Sequence, residues 1–170
     1  MRRAWVLLGM LAGTVVTTDR VQACVCLGSD SPDFNHAMLG STIVLVGEVT
    51  AQGKPVVPKF YPEQNVAYID VVRLQAIKDD VVPSTIRIWD ASFGTDCSYD
   101  LRRFTPGVVA AFAIEKNTPE QKEYWDLLQL APSLTDYVVG GCGEYHKVLS
   151  TRNDAKAFAA TAKRWLAGPH

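Results

Sequence analysis

Four cysteines stand at positions 24, 26, 97 and 142 of a 170-residue chain, and their spacing constrains the fold more than any other feature. A bridge between Cys24 and Cys26 would strain the backbone across the one residue between them, so the two are expected to pair separately with Cys97 and Cys142. Two of the three possible connectivities survive. Either closes loops of roughly 70 to 120 residues, each worth about 4 kcal/mol in the chain-entropy picture. Two staples two residues apart also pin a short piece of backbone rigidly against the rest of the molecule. Four cysteines cannot replace a core in a chain of this length. The 48% hydrophobic content supplies one core, and one domain is expected.

The position of the first pair gives the spacing its meaning. Met1, Arg2 and Arg3 are followed by an apolar run from Ala4 to Val16, which Thr17, Thr18, Asp19 and Arg20 bring to an end. The run falls short of the roughly 20 apolar residues that a spanning helix needs. It has the form of a secretory leader with Val21, Gln22 and Ala23 at the cleavage site. The expected organisation is a signal peptide over 1–23 and one domain over 24–170, beginning at Cys24 and secreted or extracytoplasmic. The alternative processing makes Cys24 the lipidated first residue of an envelope-associated lipoprotein; Gln22 and the charges at Asp19 and Arg20 fit that less well. A formal charge of −1 gives no field that would gather nucleic acid or an anionic membrane.

Beyond the cysteine pair the pattern is mostly β. Ser31 and Pro32 read as the start of a short helix running to Leu39. Ile43 to Val49 is a β-branched run suited to a strand buried on both faces, with Gly47 where a bulge or bend would sit. Pro55, Pro58 and Pro62 make a loop of Ala51 to Gln64, presenting Phe60 and Tyr61. Val66 to Leu74 and Thr85 to Trp89 alternate as strands on either side of a turn at Lys78, Asp79 and Asp80. Phe93 to Cys97 reads as a loop, and Val108 to Ile114 as a central strand. Weaker strand patterns follow at Trp125 to Leu130 and Tyr137 to Val139. Phe158, Ala162, Trp165 and Leu166 recur at helical spacing from Asn153 to Ala167. Short strands without alternating helices, with a helix near each end, point to an antiparallel sheet or small barrel.

Other chemistry finds little support. His36, His146 and His170 form no HExxH motif or close ligand set, so no metal of the protein's own and no cofactor are expected. Ser41, Ser84, Ser92 and Ser133 lack a GxSxG setting. Asp79, Asp80 and the stretch from Glu120 to Glu123 read as solvated turns, and Trp89 and Trp165 as core. A redox dithiol at Cys24 and Cys26 would need free thiols, while two further cysteines stand ready to pair and no thioredoxin-like βαβ pattern surrounds the motif. The chain does not read as an enzyme.

On Cys24-Val25-Cys26, the strand Val44 to Val49, Asp96-Cys97-Ser98 and Gly141-Cys142-Gly143, the sequence resembles the netrin-like domains and, most closely, the N-terminal domain of the tissue inhibitors of metalloproteinases. The match runs over most of the chain after the leader, to about Cys142. The resemblance implies a mainly β fold: a five-stranded Greek-key barrel of the oligonucleotide/oligosaccharide-binding (OB) type, with a short N-terminal helix and a C-terminal amphipathic helix. It also implies the pairing Cys24–Cys97 and Cys26–Cys142. The animal inhibitors carry a third disulfide and a further cysteine-rich domain that this chain lacks, so it looks more like the bacterial members.

In that family the free α-amine and carbonyl of the first cysteine chelate the catalytic zinc of a metalloprotease, a role that would fall to Cys24. Val25 would enter the specificity pocket. Cys26, Asp96 and Ser98 would contact the enzyme beside the terminus, with Phe60 and Tyr61 as a further edge. The expectation is a secreted protein-binding module whose partner is a zinc metalloendopeptidase or another extracytoplasmic protein. The bland alternative is that the bridges only stabilise a secreted domain, and a lipid on Cys24 would cap the amine and abolish chelation.

Overall fold

The strands wind into a closed barrel because β-branched and aromatic residues alternate along them and one shared interior takes the buried set. The computed structural model describes residues 33–53, 67–79, 81–90, 101–127, 129–130, 132–133, 135–139 and 145–169. Within them run α1 (Phe34–Gly40), β1 (Ile43–Gln52), β2 (Tyr68–Lys78), β3 (Thr85–Asp90), a 3-10 turn (Leu101–Arg103), β4 (Val109–Lys116), α2 (Pro119–Leu127), β5 (Tyr137–Val139), β6 (His146–Leu149) and α3 (Arg152–Leu166).

The barrel order is β1-β2-β3-β5-β4, closed by pairing of β4 with β1. β3 with β5 is the parallel pair, and the other pairings are antiparallel. This is the expected five-stranded, OB-type Greek-key barrel. Its stagger can be followed from residue to residue. Ile43 pairs with Ile114, Ile114 with Val139 and Val139 with Asp90; the Asp90 amide then donates to the Ala67 carbonyl. Ala67 lies beyond the last β1–β2 pair, Gln52 with Ile69. A circuit that leaves from the first residue of β1 thus returns past its last. So large a stagger tilts the strands steeply and lets few strands close around a filled interior.

That interior is apolar. Leu45, Ile69, Val71, Ile88, Phe112, Ile114 and Val139 are fully buried within it, joined by Leu101 and Phe104 from the segment before β4. A second apolar layer covers the outer face of β1 and β4. There Val44, Val46, Ala111 and Ala113 lie under Phe34, Ala37 and Met38 of α1 and Ala155, Ala159 and Ala162 of α3. Burial on both faces explains why both strands are continuously apolar. A third cluster, Trp89, Val138, Trp125 and Leu130 with Tyr68 against it, lies against α2.

Several boundaries differ from the sequence expectation. Asp33 is the N-cap of α1, its carboxylate accepting the His36 amide at 3.0 Å, and the helix begins at Phe34. β1 continues through Gln52 before the proline-rich stretch. β2 starts at Tyr68 and extends to Lys78, so the turn begins one residue later, with Asp79 at φ 65°. The strand expected at Trp125 to Leu130 is not one: Trp125 lies in α2, together with Glu120. Thr118 and Gln121 cap that helix reciprocally, with Pro119 in its first position. β6 was not anticipated; its four residues pair with β4 where β5 leaves off. Among the described residues no helix is long and apolar enough to cross a membrane.

Candidate functional site

The residues expected to carry function are Cys24, Val25, Cys26, Phe60, Tyr61, Asp96, Ser98 and the bridge partners Cys97 and Cys142. All lie outside the described residues. The structure fixes instead the positions from which their segments depart.

Those positions adjoin one another. Residues 54–66, with Phe60 and Tyr61, run between Gly53 and Ala67; residues 91–100, with Asp96, Cys97 and Ser98, run between Asp90 and Leu101; residues 140–144, with Cys142, run between Val139 and Tyr145. Gly53 donates its amide to the Tyr68 carbonyl at 2.9 Å, Asp90 donates to Ala67 at 3.0 Å, and Asp90 pairs with Val139. Ala67, Asp90 and Val139 are therefore consecutive neighbours across β2, β3 and β5. The three segments leave the barrel from one stretch of its rim.

Local chemistry holds that rim rigid. A Cβ on Gly53 would run into the Tyr68 ring, so only glycine lets the two strands meet there. The Tyr68 ring packs on Trp89 with centroids 4.8 Å apart, and the Arg87 guanidinium lies 4.0 Å over the Tyr68 ring centroid. Arg87 also makes a two-pronged ion pair with Asp70, at 2.8 and 3.0 Å, which raises the guanidinium further above its ordinary range. Gln52 donates to the Leu101 carbonyl at 3.3 Å, and Leu101 is fully buried in the barrel. Asp90 and Leu101, the described residues on either side of 91–100, are thus each held by the barrel.

Between the pairs Ile114–Val139 and Phe112–His146, β4 advances two residues while the opposite chain advances seven. Where the chain resumes, the Ala113 amide donates to the Tyr145 carbonyl at 2.9 Å. Close by, Phe158 of α3 contacts Phe34, the first residue of α1, at 6.0 Å between centroids, and takes Lys147 of β6 over its ring at 5.5 Å. Phe34 of α1 and Lys147 of β6 thus share the Phe158 ring.

The titratable groups nearby have structural explanations. His36 holds the Asp33 carboxyl below its ordinary value through its amide and ring. Burial keeps the His146 ring below its ordinary value, with its edge against Phe104. Burial raises the Tyr137 phenol, with the Asp79 charge adding to it. Among the described residues no three His, Cys, Asp or Glu side chains are grouped to hold a metal. Sequence reading did not foresee Leu101 and Phe104 as the barrel plug, although two apolar residues shortly after Cys97 were the available signal. Compared with known proteins, the chain matches no family model and no curated sequence.

Proposed function

We propose that the protein is a secreted barrel module that binds another protein through a disulfide-fixed N-terminus, and that its partner is a zinc metalloendopeptidase inhibited through Cys24. The observation that supports this reading is the shared rim: Ala67, Asp90 and Val139 are adjacent, and from them depart the segments carrying Phe60 and Tyr61, Asp96 to Ser98, and Cys142. Cys97 and Cys142 follow the paired residues Asp90 and Val139 by seven and three residues in the chain. In this reading Cys24 bridges to Cys97 and Cys26 to Cys142.

The chemistry then follows from the terminus. A catalytic zinc keeps one coordination position open for water. An α-amine has an ordinary pKa of about 7.7–8.0, so an appreciable neutral fraction can coordinate near neutral pH. The Cys24 amine and carbonyl displace the attacking water, and Val25 offers a small apolar side chain to the pocket beside it. Asp96 and Ser98 flank the terminus. Pinning by two bridges removes ordering cost that a fraying terminus would incur on binding.

The test compares protein beginning at Cys24 with the same protein carrying one extra N-terminal residue, against a panel of zinc endopeptidases. The extension blocks chelation and is expected to weaken inhibition about a hundredfold. Equal inhibition by both forms, or none by either, would contradict the proposal.

A further inference from the structure

Away from that rim, a groove of about 400 Å³ opens where the ends of α1, β2 and α3 meet, lined by Leu39, Ile77, Lys78, Lys163, Leu166 and Ala167. Its floor is apolar and its lining charges are both positive, with no carboxylate among them. Leu39 is 39% exposed. Lys78 is partly committed, donating to the Leu39 and Ser41 carbonyls and so capping the end of α1. Lys156 stands two helical turns before Lys163, on the same side of α3, and both are exposed. Arg152, one turn earlier still, is occupied by Glu48 at 2.6 Å.

We propose that this groove docks an acidic segment of a partner protein, one that places a large apolar side chain on Leu39, Ile77 and Leu166 and its carboxylates against Lys78, Lys163 and Lys156. Charge complementarity selects the occupant: an apolar floor with a one-signed rim favours a chain that carries both features within a turn of each other. The exposure of Leu39 argues against a small molecule, which a pocket must largely enclose. The site is independent of the N-terminal reading, being built from different elements.

The test selects a displayed library of random 12-residue peptides on the folded protein, then measures synthetic copies of the enriched peptides by fluorescence anisotropy. Enriched sequences are expected to set Asp or Glu beside Leu, Ile, Phe or Trp. Lys163→Glu should weaken their binding about tenfold, while Lys163→Arg should retain it. Lys163 is the residue of choice because Lys78 caps α1 and its loss could unfold that helix; Leu39→Asp provides a second variant, expected to abolish binding. Failure to enrich, enriched peptides without carboxylates, or binding indifferent to Lys163→Glu and Leu39→Asp would overturn the proposal. So would loss of a preference for peptide in favour of vesicles of anionic over zwitterionic phospholipid.

Discussion

Gly47 shows how one residue sets the path of a strand. The β1–β2 register shifts between Val46 and Gly47. A Cβ at Gly47 would collide with Val71 Cγ1 and stand 3.0 Å from the Val72 carbonyl oxygen. The missing side chain is therefore what lets β1 turn around the barrel against β2. Gly47→Ala is expected to destabilise the fold by roughly 1–3 kcal/mol, as overpacking a filled core does, read as a lower denaturant midpoint. His146 provides a pH-dependent counterpart. Its folded-state pKa lies below the ordinary value of 6.5 because burial disfavours the charged ring. Between the folded and unfolded values the unfolded chain binds more protons, so stability is complete above about pH 6.5 and is lost as pH falls through the folded value. Replacing His146 with leucine should remove that part of the acid sensitivity in thermal melts between pH 5 and 7.

At the scale of elements, what was legible in the sequence followed one signal. Strands buried on both faces, such as β1 and β4, announce themselves as continuous apolar runs, and α3 as an amphipathic repeat closed by Gly168 and Pro169. α2 was misread in part because Trp125 and Leu130 are apolar without a clear helical stripe, while the capping pair Thr118 and Gln121, the local helix signal, lay several residues upstream. What fixes α2 is polar and tertiary. Trp125 donates its indole N–H to the buried Asn117 carbonyl oxygen at 3.1 Å, and Asn117 in turn donates to the Ser133 carbonyl at 3.1 Å. Asp136 accepts from the Trp89 indole at 2.8 Å, tying the same loop to β3. Trp125→Phe keeps most of the apolar contact but leaves the Asn117 oxygen without that donor. A loss of about 1–3 kcal/mol is expected, measured by chemical denaturation, against a smaller change for an exposed substitution such as Glu120→Gln.

For the whole molecule, the barrel bears on the cysteine spacing only through the strands that precede Cys97 and Cys142 in the chain. From the sequence alone, two nearby cysteines are expected to reach two distant ones, at 97 and 142, all of them outside the described residues. In the described fold β3 and β5 pair in parallel although β4 and α2 intervene in the chain, and Asp90 and Val139, the last described residues before Cys97 and Cys142, end those strands side by side. That long-range parallel pairing depends on barrel closure and leaves no periodic trace in either segment, which is why the strand pattern alone read as antiparallel. The candidate site residues were read from the cysteines and their neighbours and, for Phe60 and Tyr61, from the proline-rich loop, and they lie outside the described residues. The central claim is that the working protein starts at Cys24 with a free amine held by two bridges, and non-reducing peptide mass spectrometry of the exported protein tests it most directly. The account predicts an unmodified N-terminal Cys24 linked to Cys97 and a Cys26–Cys142 bridge; a lipid on Cys24, a cleavage site elsewhere, or four free thiols would contradict it.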